Sequence, residues 1–421
     1  MGPPEKARTL ILKADLVITP SEAIEGGAIL IRGKEIGWIG RWKELEGRRG
    51  LVLDLTGCVV APGMINCHCH LELSALSGGK VNRGSSFTEW IVNLLRARKG
   101  WDRRRYRESA RKGVEELIRY GTTTVADITN SGESPGPLLA SGIRAVVFYE
   151  LIGLDPIGSR VRMAMAMIWL KRISEISRAY RREGLIPGLS PHAPYSTSGW
   201  LYRKAIRLSE LRGIPIATHI LETEEEVELL LRGTGPLRDL VDMIPGARWS
   251  WSPPGMSPIR YLFSLGYHKT NGLLVHANYL SEEDLQAVAL SGCPVVYCPR
   301  SASFFGHDSH PIEGIMRAGG RVVLGTDSLA SNESLSMIEE MREVLKRHSS
   351  IPPYKVLEMA TKDAALSLGL GTKLGRLGVG MRADISAFEI EDAGLKDPYL
   401  ILIEGAKPES VMTMVDGKVI L

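Results

Sequence analysis

Four histidines and one aspartate each stand at the polar end of a short apolar run. VVAPGMINCHCH ends on His68 and His70, IPIATH on His219, LLVH on His276 and VVLGTD on Asp327. Imidazole and carboxylate donors hold divalent cations when they converge from separate rigid elements, and buried strand ends are such mounts. His68 and His70, two apart on a strand, share one face and leave Cys67 and Cys69 to the other. A rival thiolate zinc site at Cys67 and Cys69 needs a second closely spaced cysteine pair, which Cys293 and Cys298 do not supply.

Glu222 follows His219 in ILETEEEVELL, where a helix begins. A carboxyl group there is placed to shuttle a proton beside a cation that holds a water. Glu224 to Glu226 are expected to be a favourable first turn, interacting with the helix dipole. Asp327 is a candidate both for binding the metal and for accepting a proton from the water. His192 ends the run IPGLSPH and is a candidate substrate contact. IPGLSPHAPYS offers no lysine or acid to bridge two metals, so one divalent ion is expected.

These residues need a scaffold that brings distant strand ends together. Eight apolar runs qualify as strands: VVAPGMIN, TTTVADI, IRAVVFYELIG, IPGLSPH, IPIATH, GLLVHA, CPVVYCP and RVVLGTD. Between them, stretches such as WLYRKAIRLSELRG and SEEDLQAVALSG have helical periodicity. Continuous apolar strands alternating with helices indicate a parallel sheet covered on both faces, and eight units predict an α/β fold of the (β/α)₈ barrel type. The polar residues fall at the C-terminal strand ends, where such barrels carry their sites. This barrel is expected over residues 62–370. The short β-rich segments at 1–61 and 371–421 have too few strands to stand alone, and together predict one small composite β-sandwich.

Composition narrows the class. With 52 basic and 48 acidic residues the charge is nearly balanced, which argues against a dedicated nucleic-acid or membrane binder. Five cysteines without framework spacing suit a reducing, cytoplasmic setting. The first residues, MGPPEKARTLILKADL, lack a signal-peptide core, and the longest apolar stretch, Met163 to Leu170, is too short to span a bilayer. The run RARKGWDRRRYRESARK, residues 96–112, could pair arginines with Trp101 and Tyr106 on RNA, but reads more simply as a solvated helix. A small-molecule substrate is the expected partner, with a homo-oligomer left open.

Taken together, VLDLTGCVVAPGMINCHCHLE, GTTTVAD, SPHAPYS, ATHILETEEE, LLVHANYLSEEDL, CPRSASFFG, LGTDSLASNESL, GVGMRADISAF and MVDGKVI resemble the amidohydrolase superfamily in its deaminase and chlorohydrolase branch. The resemblance covers nearly the whole chain. It implies that His68, His70, His219 and Asp327 bind one divalent metal, zinc on family grounds, with iron, nickel or manganese compatible with the same donors. It implies that Glu222 is the proton shuttle and that His276 orients or deprotonates the attacking water.

A closer likeness, carried by SSFTEWIVNLLRAR, VVFYELIG, SPIRYLFSLG and CPRSASFFGH, is to aminodeoxyfutalosine deaminases of menaquinone biosynthesis. In related nucleoside deaminases the tryptophan of the EWI segment lines the pocket, which makes Trp90 a candidate. Those enzymes carry a ribose-binding glutamate shortly afterwards, where this chain has Arg98 and Lys99, and Ala302 replaces their usual asparagine. Arg300 and His307 are candidates for holding an extra substrate carboxylate; the competing role for Arg300 is pairing with a loop acid. Deamination of S-adenosylhomocysteine, methylthioadenosine, adenosine or another nucleobase, displacement of chloride from a triazine, and a non-enzymatic scaffold role are the alternatives.

Overall fold

The structure is a computed structural model that describes residues 9–19, 22–45, 47–84, 86–179, 184–244, 247, 251–307, 310–391 and 394–421. The sequence expectation about a leader rests partly on residues 1–8, which lie outside the described residues.

Seven strands from the two chain ends make one mixed sheet: β1 (Thr9–Ile18), β2 (Ala23–Arg32), β3 (Glu35–Arg41), β4 (Leu51–Pro62), β13 (Ile385–Ile390), β14 (Ala406–Val415) and β15 (Lys418–Val419). Their order is β15-β14-β13-β4-β1-β2-β3. The sheet curls until its edge meets the segment before β13: the Ile36 amide donates to the Met381 carbonyl and the Ala383 amide to that of Lys34, each at 2.9 Å. Its two flanks enclose a core that includes Leu12, Ile29, Ile31, Val60, Ile385 and Met414. The expected two-layered unit is therefore built from one continuous sheet.

Eight parallel strands lie between: β5 (Met64–Cys69), β6 (Thr122–Thr129), β7 (Arg144–Leu151), β8 (Leu185–Pro191), β9 (Ala217–Ile220), β10 (Leu273–His276), β11 (Val295–Tyr297) and β12 (Val322–Leu324). Each arises from one of the eight apolar runs. They form two four-stranded halves, β5 to β8 and β9 to β12. One seam is closed by a parallel bridge from Leu189 to Ile216 and by the His219 amide donating to the His192 carbonyl at 2.8 Å. At the other seam the amides of Thr326 and Asp327 both donate to the His68 carbonyl at 3.1 Å. The amide of Asn66 adds a side-chain bond to Thr326 Oγ1 at 2.7 Å. A closed barrel leaves no free sheet edge.

One apolar cluster draws on all eight strands and fills the barrel; it includes Ile65, Cys67, Ile128, Phe148, Val275 and Val323. Cys69 instead packs in the shell under the helices, with Leu71 and Val125. The two cysteines thus do not share a face as strict alternation predicted, because the pairing of β5 with β6 is irregular between Asn66 and Cys69. All five cysteines are buried and free, and the metal-capable clusters among the described residues contain none of them.

The arginine-rich run forms the helix Arg103–Arg119, capped by Asp102. Arg104 and Arg111 pair with Glu108 and Glu115 one turn on, and Arg103 and Arg107 converge on Glu133. This is a solvated, ion-paired face. Among the described residues no helix is long and apolar enough to cross a membrane.

The barrel and terminal sheet are pinned by Arg144 at the start of β7, whose guanidinium donates to Asp384 through Nε at 2.7 Å and Nη2 at 3.2 Å, and also to Asp416. Asp384 is almost fully buried. Arg144→Met should therefore destabilise the fold by about 3–5 kcal/mol, because it strands a buried carboxylate. Urea denaturation measures this, and an unchanged midpoint would mean that the pair contributes nothing net.

Candidate active site

The carboxyl ends of the barrel strands bring the expected residues to one point. His68 lies in β5 and His70 just beyond it, His219 in β9, His276 at the end of β10 and Asp327 three residues past β12. His70 Nε2 and His219 Nε2 face each other at 3.2 Å. Asp327 Oδ1 lies 3.5 Å from His68 Nε2 and 3.9 Å from His70 Nε2. The donor atoms of His68, His70 and His219 lie within 4.8 Å of one another, as do those of Glu222, His276 and Asp327.

The surroundings orient these donors. His219 Nδ1 donates to the His192 carbonyl at 3.1 Å, which leaves its Nε2 lone pair turned towards the other donors. The hydroxyls of Ser301 and Ser331 donate to Asp327 Oδ2 at 2.8 and 2.9 Å, so that Oδ1 is the oxygen left for the centre. His310 Nε2 donates to the His276 carbonyl at 2.8 Å. His276 and Asp327 adopt positive φ, 75° and 59°. Left-handed backbone is costly for residues with a side chain, and its presence at two of the gathered residues fits a site imposed by function.

The electrostatics suit a cation. Burial, with His68 beside it, brings His70 down to about 4. Burial and neighbouring imidazoles likewise push His219 and His276 well below the usual histidine range. Burial alone would raise Asp327, but the adjacent His68 imidazole and the other nearby histidines hold its carboxylate well below the ordinary value. These shifts favour neutral His70, His219 and His276 beside an ionised Asp327, the forms in which such groups bind metal. His68 Nε2 is buried without a hydrogen bond, an orphaned donor that a cation would satisfy. On both grounds the residues fit a divalent ion.

Glu222 lies against this group, its Oε1 3.7 Å from His276 Nε2. Burial, then the charges of Asp327 and Glu226, push its pKa well above the ordinary range. Its surroundings thus favour the protonated carboxyl more than water does. Glu226 lies in the first turn of the helix Glu225–Arg232, as expected, but it is fully buried, and burial raises it to about 8.

Above the group opens a cavity of about 490 Å³, lined by His70, His192, His219, Glu222, His276 and Asp327 among others. This is the size of a small-molecule site. Trp90, on the helix Phe87–Ala97, is on its wall and packs edge-on against Phe305 with ring centroids 5.0 Å apart. His192 is also on the wall, its Nδ1 sharing a 2.6 Å hydrogen bond with Ser196 Oγ.

Arg300 and His307 are not brought to the cavity. Arg300 donates to Ser334 Oγ at 2.8 Å and pairs with Glu333 at 3.4 Å, the loop-acid alternative. His307 shares a 2.7 Å hydrogen bond with the Tyr279 hydroxyl. Both belong to the short helix Pro299–Phe305 and its exit, which points them away from the pocket. Among the described residues, the arginines on the cavity wall are instead Arg98 and Arg162.

Other wall residues escaped the sequence reading. Glu72 accepts from the hydroxyl of Thr129, the Ser131 amide and hydroxyl at 3.0 and 2.6 Å, and the amides of Asn130 and Glu133 at 3.1 and 3.0 Å. It thereby fastens the loop after β6. Glu150 interrupts the apolar run VVFYEL near its end, a signal close to that of the metal-binding candidates.

Comparison with known proteins agrees with this geometry. The sequence profile of the Amidohydrolase family matches residues 59–420, and the chain belongs to that family. It is a metal-dependent hydrolase acting on carbon–nitrogen bonds. A 5-methylthioadenosine/S-adenosylhomocysteine deaminase of Pelotomaculum thermopropionicum is 29% identical, over 98% of this chain and 93% of the relative. An aminodeoxyfutalosine deaminase of Deinococcus radiodurans is 29% identical over 87% of this chain and 88% of its own. Among solved structures, an adenosine deaminase from Xanthomonas campestris with bound zinc superposes with a TM-score of 0.84 at 21% identity, covering 99% of this chain and 93% of that one.

Proposed function

We propose that this enzyme hydrolytically deaminates an aminated purine-type nucleoside, and that aminodeoxyfutalosine, an intermediate of menaquinone synthesis, is its substrate. The observation that carries this reading is the convergence of His68, His70, His219 and Asp327, with Glu222 beside them, under one largely apolar cavity. These four residues would hold one divalent ion. Zinc suits their nitrogen and oxygen donors and needs no redox chemistry here. The ion's contribution, when bound, is Lewis acidity that brings a water nucleophile within reach of neutral pH.

The chain's own groups move the protons. Glu222, protonated through burial, donates to a ring nitrogen and makes the amino-bearing carbon electrophilic. Water adds to that carbon, oriented by His276, while Asp327 accepts its proton. That proton passes to the amino group, the carbon–nitrogen bond breaks and ammonia leaves, while the proton of the added hydroxyl returns to Glu222 and the carbon becomes a carbonyl. Arg98 and Arg162 on the wall suit a substrate whose far end carries a carboxylate, which favours aminodeoxyfutalosine over adenosine.

A second reading, S-adenosylhomocysteine or methylthioadenosine as substrate, is favoured by the relative that aligns with 98% of this chain. Ammonia release measured side by side on aminodeoxyfutalosine, S-adenosylhomocysteine, methylthioadenosine and adenosine separates the two. A kcat/KM highest on aminodeoxyfutalosine supports the first, and a preference for a thioether nucleoside replaces it with the second. Trp90→Ala should raise KM for the preferred substrate about 5- to 100-fold, the scale of one lost base–aromatic stack. Steady-state kinetics check this, and an unchanged KM would remove Trp90 from the substrate contacts.

A further inference from the structure

The groups gathered under the cavity are not held alike. His219 is fixed through its Nδ1 by the His192 carbonyl, and Asp327 through its Oδ2 by two serine hydroxyls. The His276 ring has no such tether. Its Nε2 lies 3.7 Å from Glu222 Oε1, beyond hydrogen-bond reach, and among the described residues no hydrogen bond holds either ring nitrogen.

The aim of this ring therefore comes from the backbone that carries it. That backbone is left-handed at two successive residues, with φ of 75° at His276 and 52° at Ala277. Residues with side chains keep such a conformation only when their neighbours enforce it. Two main-chain bonds do part of this: the Ala277 amide donates to the Ile220 carbonyl at 2.8 Å, and the Asn278 amide to that of Leu221 at 3.0 Å. A third bond comes from a side chain. His310 Nε2 donates to the His276 carbonyl at 2.8 Å.

His310 lies two residues before the helix Ile312–Arg317 and is buried. Its ring stacks on that of Tyr297, the last residue of β11, with centroids 4.1 Å apart. A carbonyl only accepts, so Nε2 carries the hydrogen. Burial acts against a second proton, pushing the ring's pKa down to about 3. Nδ1 is buried with no hydrogen bond. A half-paired imidazole in a core costs stability, and such a group calls for a reason. The bond to His276 is the one hydrogen bond that His310 makes among the described residues.

We propose that His310 is a positioning residue: its hydrogen bond holds the left-handed turn at the end of β10 and thereby aims the His276 imidazole at the attacking water. This rests on the role given to His276 above. His310 is not part of the cavity lining or of the metal-capable clusters, so it acts on the reaction through His276 and not on the substrate or the ion.

The test removes the donor, restores it, and removes the ring that it aims. H310F keeps a ring against Tyr297 without the donor, H310L replaces the ring by a smaller apolar group, and H310Q keeps an N–H of similar reach. kcat, KM and bound metal are measured for these, for H276Q and for the doubles H276Q/H310F and H276Q/H310L, on the nucleoside of the panel above with the highest wild-type kcat/KM. Urea midpoints identify the folded variants, and either donor-free variant suffices. Loss of the donor should lower kcat about 10- to 100-fold, the scale of a misaimed group, with KM little changed and the metal retained. H310Q should recover most of that loss. Added to H276Q, either donor-free substitution should cost little more, because the ring it misaims is already gone. A wild-type kcat without the donor, an H310Q as slow as the donor-free variants, or losses that multiply in the doubles would each overturn the proposal. Loss of metal without the donor would also overturn it, since His310 would then support the ion. An H276Q enzyme as fast as the wild type would end the role of His276, and this proposal with it.

Discussion

Glu222→Gln is expected to lower kcat by about 10²- to 10⁴-fold, the range contributed by positioned proton transfer, while the protein keeps its full complement of metal. The residue sits 3.7 Å from His276, and burial with the charges of Asp327 and Glu226 favours its protonated form. It is one of the few groups at the centre able both to give and to take a proton. Glutamine preserves the shape and the hydrogen-bond donor but cannot complete the transfer. Because the loss is one of chemistry, KM for the nucleoside should change little. Steady-state kinetics with metal analysis of the same preparation test this, and a variant with near-wild-type kcat would remove Glu222 from the reaction.

His219→Ala should be more severe. The ring supplies a donor 3.2 Å from that of His70, and its orientation is fixed from behind by the His192 carbonyl. Bound metal should fall from one ion per chain towards none, and activity by more than about 10⁴-fold, since the nucleophile depends on the ion. Ser301→Ala removes only one of the two hydroxyls that orient Asp327. Its expected loss of metal affinity is about 10- to 100-fold, as for other residues that hold a ligand in place. A His219→Ala enzyme that retained stoichiometric metal and turnover would show that the ion is held elsewhere.

The barrel was legible because its signal is redundant: eight apolar runs, each ending in polar residues, predict both the strands and the end at which they matter. The sandwich was legible only as strand content. That β3 would close back on the segment before β13 depends on pairings remote in sequence, which local patterning does not record. Alternation failed at Cys67 and Cys69 for a similar reason, since an irregular pairing with β6 shifts which residues face inward.

Within the site, residues at strand ends were readable and those on loops and helices were not. His68, His70, His219, His276 and Asp327 announce themselves as polar groups closing apolar runs. Arg300 and His307 follow such a run as well, but the helix that starts at Pro299 carries them off the cavity to Ser334 and Tyr279. Arg98 and Arg162 reach the wall from helices whose placement no spacing rule gives. The burial of Glu226 was not readable because its neighbours Glu224 and Glu225 are acidic too; only packing distinguishes the one turned inward.

The most direct test of the metal centre is a crystal structure of the purified enzyme with anomalous data collected at the absorption edge of its metal. One peak is predicted per chain, about 2.0–2.2 Å from Nε2 of His68, His70 and His219 and from Oδ1 of Asp327. A peak seated instead on Glu150 and His192, or ordered density at these four side chains with no ion among them, would contradict it.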